Sequence, residues 1–174
     1  MNTANKLTMF RIALIPVFLV VLYIGFPGSH IAAMAVFIIA GVTDFVDGYI
    51  ARSRNQVTNF GKFMDPLADK ILVVSAMLWF VGQGDMPAWA ALIVIIREFM
   101  VTALRLIAVS SGRVIAAAVS GKVKTAVTMV CLTAMFLELA PWMVYVCVAA
   151  ITVTTVVSGL EYFIRNKDAI NWEI

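Results

Sequence analysis

The sequence predicts an all-α integral membrane protein: six transmembrane helices in one bundle, with both termini on the cytoplasmic side. Three observations carry that prediction. Of the 174 residues, 63% are hydrophobic and only 13% charged, with a mean hydropathy of +0.99, well beyond an ordinary soluble domain. Apolar runs recur at close to the roughly 20 residues that cross a bilayer as a helix. The lysines and arginines fall on alternate connections. A chain of this length has room for one compact domain, residues 1–174, with no attached soluble domain. Its interior is expected to be helix against helix, because a backbone in lipid must satisfy its own hydrogen bonds.

The spans are expected at Leu7–Phe26, Ile31–Arg52, Lys62–Gly82, Ala88–Val109, Gly121–Leu139 and Trp142–Ile164. Short breakers separate them, among them "FPGS", "GQGDMP", "SSGR" and "APW". The first run lacks a small-residue cleavage site at its end, so it reads as a span and not as a removed leader. All 13 basic residues lie at the start (Lys6, Arg11), around the second connection (Arg52, Arg54, Lys62, Lys70), around the fourth (Arg97, Arg105, Arg113, Lys122, Lys124) or at the tail (Arg165, Lys167). The first, third and fifth connections offer only His30, Asp85 and Glu138, which puts them outside and both termini inside. Cys131 and Cys147 fall within the fifth and sixth spans and read as apolar free thiols, and His30 is given no role.

Charge inside the second span needs a reason, since an Asp or Arg at a helix centre costs at least about 3 kcal/mol. In "TDFVDGYIAR", Asp44, Asp47, Gly48 and Ala51 sit at i, i+3, i+4 and i+7 and share one helical stripe. In "GKFMDPLADK", Gly61, Asp65 and Asp69 repeat the device at i, i+4 and i+8. Antiparallel second and third spans would bring four carboxylates to one depth, where they repel one another unless cations intervene. Hard oxygen ligands suit Mg²⁺ or Mn²⁺, and two such ions neutralise four charges; no Cys or His stands nearby to favour zinc. Gly48, Gly61 and Ala51 read as gaps for a ligand or a neighbouring backbone. The plainer alternative for Asp65, directly before Pro66, is a helix N-cap with proline at the first helical position.

These residues carry a family resemblance. "DFVDGYIAR", eight residues, then "GKFMDPLAD" is similar to the signature of the CDP-alcohol phosphatidyltransferases, Asp-x-x-Asp-Gly-x-x-Ala-Arg, eight residues, Gly-x-x-x-Asp-x-x-x-Asp. Every fixed position is filled, by Asp44, Asp47, Gly48, Ala51, Arg52, Gly61, Asp65 and Asp69. "NKLTMFRIALIP", "NFGKFMDPLADKILV", "REFMVTALR" and "GRVIAAAVSGKVKT" further resemble the phosphatidylglycerophosphate synthase branch of bacteria. Where many of that branch have Pro-Asn, this chain has Ala4-Asn5.

The resemblance implies transfer of a phosphatidyl group from CDP-diacylglycerol to glycerol 3-phosphate, with CMP as the other product, in a bacterial plasma membrane with the active site on the cytoplasmic side. It implies Asp44, Asp47 and Asp65 as metal ligands, and Asp69 as both ligand and general base. It places Gly48, Ala51, Arg52 and Gly61 against the cytidine diphosphate head, with Thr8 and Arg11 bordering the same site, and it implies a homodimer. A phosphorylated acceptor needs cations of its own, for which the fourth connection offers Arg105 and Arg113, then Lys122 and Lys124. Their plainer role is contact with anionic lipid headgroups. Glu98 and Arg105, seven apart, are expected to pair structurally. Rival acceptors within the family would make cardiolipin or phosphatidylinositol phosphate. A small ion or proton transporter is a rival of another class, disfavoured because residues 88–174 hold no second copy of either aspartate motif. The net charge of +3 is accounted for by orientation in the membrane and leaves no case for nucleic acid.

Overall fold

A computed structural model describes residues 3–53, 59–110 and 118–166; within these, the side chains of residues 3–8, 44–53, 59–66, 69 and 110 lie outside the description. The described residues form six α-helices and no strand: α1 (Thr3–Ile24), α2 (Ser29–Ser53), α3 (Asn59–Gln83), α4 (Ala88–Ser110), α5 (Val119–Met135) and α6 (Pro141–Arg165). Each matches one expected span. Most bounds shift by one to four residues, and two of the shifts have a physical consequence. Hydropathy carries the fifth span on to Leu139, but the backbone leaves the helix after Met135 through a tight turn, with Leu137 N–H donating to Ala134 and Glu138 at φ 51°. The third helix begins at Asn59, so Asp65 and Pro66 lie inside it and the N-cap alternative for Asp65 is overturned. At the end of α1, Gly25 takes φ 66°, a left-handed conformation that glycine adopts without a Cβ penalty.

Two compact units divide the chain. The first comprises residues 1–79 and 133–139, with α1 packed along α2. On α1 the buried residues Arg11, Ile15, Phe18 and Leu22 recur at three- and four-residue steps, and on α2 Ser29, Ala33, Phe37 and Ala40 do the same. Small residues on α2 let the backbones approach. Phe18, Phe37 and Phe136 close the centre, each pair of ring centroids 5.9 Å apart. At one end of this unit Trp79 meets the edges of Tyr23 (5.1 Å) and His30 (6.3 Å), and His30 Nδ1 lies 3.2 Å from Glu138. The first and fifth connections therefore meet at the same end, beside the end of α3. His30, expected to have no role, has this local one; with both side chains open to solvent, such a pair is worth at most about 1 kcal/mol.

The second unit comprises residues 80–132 and 140–174, with α4 packed along α6. The α6 stripe is Val148, Ile151, Thr155, Ser158 and Tyr162; the α5 stripe includes Lys124, Thr128 and Leu132. Cys131 and Cys147 are free thiols as expected, but half-buried and not the buried thiols that their place in apolar runs suggests. In both units the outward faces are apolar: Val20, Ile38, Leu78, Phe99, Val130 and Leu160 are among the exposed residues. Water-facing surfaces rarely expose this much contiguous apolar area. Among the described residues, α6 is long and apolar enough to cross a membrane, while Met9–Ile24, Ser29–Thr43 and Lys70–Gln83 are shorter apolar stretches.

Candidate active site

Both aspartate motifs lie on helix. Asp44, Asp47, Gly48, Ala51 and Arg52 occupy the C-terminal part of α2, and Gly61, Asp65 and Asp69 the N-terminal part of α3. Within the first unit α2 runs away from the Tyr23–His30–Trp79 end and α3 runs towards it, so both motifs fall at the opposite end. The start of α1 lies there too. Arg11, Asp44 and Asp69 each stand roughly two to three turns in from their own helix ends at 3.6 residues per turn. Arg11 is fully buried and is the largest fully buried side chain among the described residues. A guanidinium is kept in such a place only with partners. The side chains of Asp44, Asp47, Asp65, Asp69 and Thr8 lie outside the described residues.

Of the expected acceptor cations, Arg113 lies outside the described residues. The other three differ sharply in setting. Lys122 is exposed. Arg105 has its Nε donating to the Tyr162 hydroxyl at 3.2 Å and its guanidinium carbon 5.7 Å from that ring's centroid. Tyr162 is itself only 2% exposed, so the arginine is braced by a fixed support that combines a hydrogen bond with a cation–π contact. Lys124 is buried, and its Nζ donates to Glu98 Oε1 at 2.8 Å. The same carboxylate oxygen accepts from Arg97 Nη1 at 2.8 Å. Glu98 is thus held by Arg97 and Lys124, whereas spacing along α4 had suggested Arg105 as its partner. Tyr162 had no signal in the sequence, because it is 57 residues from the arginine it braces.

The described residues thus form helices with apolar outer faces, with two aspartate-bearing helices at one end of the first unit and two braced cations, Arg105 and Lys124, in the second. Residues 1–158 match the CDP-alcohol phosphatidyltransferase family, and the chain belongs to it. It is 42% identical to the CDP-diacylglycerol–glycerol-3-phosphate 3-phosphatidyltransferase of Bacillus subtilis (strain 168), with 97% of each chain covered. Proteins of the same name are 40% identical in Shigella flexneri serotype 5b, covering 92% of both chains, and 39% identical in Salmonella paratyphi A, again covering 92% of both.

Proposed function

We propose that this chain transfers the phosphatidyl group of CDP-diacylglycerol to a hydroxyl of glycerol 3-phosphate, giving phosphatidylglycerol phosphate and CMP. The single observation that carries the reading is identity of about two residues in five along nearly the whole of relatives that bear that reaction as their name. The family match spans both structural units, which supports one catalytic domain over residues 1–174. The apolar outer faces support six spans in a bacterial cytoplasmic membrane. The meeting of the first and fifth connections supports their lying on one side, with the basic connections, the termini and the site on the cytoplasmic side. The chain works as a homodimer in this reading.

Two divalent cations, Mg²⁺ or Mn²⁺, fit the donor set. Asp44 and Asp47 at i, i+3 on α2 and Asp65 and Asp69 at i, i+4 on α3 offer hard carboxylate oxygens on two helices at one end of a unit. When bound, the ions supply neutralisation of the pyrophosphate and of the charge developing on the leaving nucleotide. The chain's own residues do the rest. Gly48, Ala51 and Gly61 leave room for the cytidine diphosphate head beside α2 and α3, while Arg52, Arg11 and Thr8 border it. Asp69 accepts the proton of the acceptor hydroxyl as its oxygen bonds to the lipid-bearing phosphorus, and the phosphoanhydride bond to CMP breaks. Arg105, Arg113, Lys122 and Lys124 hold the acceptor's phosphate.

Removing the phosphate-binding cations should therefore show on one substrate only. Arg105→Ala or Arg113→Ala should raise the KM for glycerol 3-phosphate by roughly ten- to a hundredfold, the loss of about 1.5–3 kcal/mol of charged hydrogen bonding, and leave the KM for CDP-diacylglycerol in place. Tyr162→Phe, which keeps the ring but not the hydrogen bond to Arg105 Nε, should raise the same constant by a smaller factor of about five, as a hydrogen bond worth roughly 1 kcal/mol would. Initial rates with both substrates varied in micelles of fixed composition measure all three; parallel changes in both constants would point to lipid-headgroup contacts instead. The reaction itself is tested by CMP release from CDP-diacylglycerol in detergent with glycerol 3-phosphate, phosphatidylglycerol or inositol phosphate as acceptor. Release with glycerol 3-phosphate alone is expected.

A further inference from the structure

The cluster on Glu98 holds more positive than negative charge. Arg97 Nη1 and Lys124 Nζ both donate to Glu98 Oε1 at 2.8 Å, and the side chains of the three are only 12%, 5% and 18% exposed in the order Arg97, Lys124, Glu98. Two cations thus share one carboxylate in a setting where an unbalanced charge is expensive. The backbone has been shaped for this. A Cβ at Gly159 on α6 would stand a tight 3.2 Å from Arg97 Cγ, so glycine there leaves room for the arginine, while one at Gly121 on α5 would meet its Nη2 at an ordinary 3.4 Å. Around it, polar atoms are left over: Arg97 Nε, Ser120 Oγ and Thr128 Oγ1 are buried with no hydrogen-bond partner. Ser120, Lys124 and Thr128 are spaced i, i+4 and i+8 on α5, so the two unpaired hydroxyls flank the lysine on one stripe. Thr128 is 1% exposed.

A structural cross-link between α4 and α5 would need only one cation per carboxylate and would leave no hydroxyls unpaired. Surplus positive charge beside unpaired donors is the arrangement that receives an anion. We infer that Glu98 is a positioning residue for the acceptor: it fixes the Lys124 ammonium on the Ser120–Thr128 stripe, so that the lysine's remaining N–H donors and the flanking hydroxyls meet the acceptor's phosphate. This rests on the reading of Lys124 as an acceptor cation, and adds to it that Lys124 acts only while Glu98 holds it. Glu98 touches no substrate in this account; its effect passes through the lysine.

The test uses full-length protein purified in detergent as Glu98→Gln, Glu98→Asp, Lys124→Met and the double variant Glu98→Gln/Lys124→Met, with the KM of each substrate and the thermal midpoint measured for all. Glu98→Gln and Lys124→Met should each raise the KM for glycerol 3-phosphate by at least about tenfold, as loss of a charged hydrogen bond does, with the KM for CDP-diacylglycerol unchanged. The double variant should be no worse than Lys124→Met, because the two residues act as one unit. Glu98→Asp, which restores the charge but not the reach, should recover part of the loss and stay measurably above the unaltered chain. An unchanged acceptor KM in Lys124→Met would overturn the acceptor role of Lys124 itself. A raised KM in Lys124→Met with an unchanged one in Glu98→Gln would overturn only the positioning role, as would a lowered midpoint in Glu98→Gln with both constants unmoved. If Glu98→Gln does not fold, Glu98→Asp decides: its shorter reach should raise the acceptor KM measurably above that of the unaltered chain, and no change overturns the inference.

Discussion

Asp44→Ala, Asp47→Ala and Asp65→Ala should each lower transfer by at least about a thousandfold, the rate equivalent of roughly 4 kcal/mol of lost transition-state stabilisation. The size follows from what a carboxylate does in such a site. On the proposed reading four aspartates on two helices would compensate two divalent ions, and removing one would leave the ions short of both a ligand and a charge. Water can replace the ligand but not the charge, so affinity for the ions falls along with turnover. The measurement is turnover as a function of Mg²⁺ or Mn²⁺, together with direct binding of Mn²⁺ followed by its magnetic resonance signal in the unreacted protein. A variant that keeps nearly normal metal dependence would remove its residue from the ligand set. Loss of turnover with unaltered ion binding would move that residue to substrate contact.

Asp69→Asn separates proton transfer from ion binding. The amide keeps the size of the carboxyl and one oxygen able to coordinate, but it cannot take the proton of the acceptor hydroxyl. A general base contributes roughly 10²- to 10⁴-fold, so the variant should run at about a hundredth of the normal rate or less while still binding CDP-diacylglycerol and retaining part of its ion affinity. Substrate binding measured by equilibrium titration and turnover measured by CMP release give the two halves. A variant that keeps more than about a tenth of the normal rate contradicts the base role.

Much of this was legible in the sequence because a membrane imposes simple rules. The six apolar runs fall on six helices, and the bounds of Ala88–Ser110 and Pro141–Arg165 differ from expectation by a residue at most. The end of α5 was misjudged because hydropathy cannot see a turn: Phe136, Leu137 and Leu139 are as apolar as the helix before them, while Glu138 takes a left-handed conformation. The start of α3 was open to two readings because Asp before Pro often begins a helix, and here the helix begins earlier. The spacing of the aspartate motifs implies a shared helical face, and both motifs do lie on helix. The cation partners could not. Glu98 is 26 residues from Lys124 and Arg105 is 57 from Tyr162, and no periodicity links side chains on different helices. Glu98 and Arg105 share a face of α4, yet the geometry gives each a partner on another helix.

The central claim is that the chain joins an intact glycerol 3-phosphate to the phosphatidyl group. The most direct measurement supplies glycerol 3-phosphate labelled on phosphorus and unlabelled CDP-diacylglycerol to purified protein with Mg²⁺, then counts label in the chloroform-extractable lipid against CMP in the aqueous phase. The account predicts that label enters the lipid mole for mole with CMP, in a product carrying two phosphates, and that none enters when Mg²⁺ is chelated. CMP release without label in the lipid, or labelled lipid formed without CMP, would contradict it.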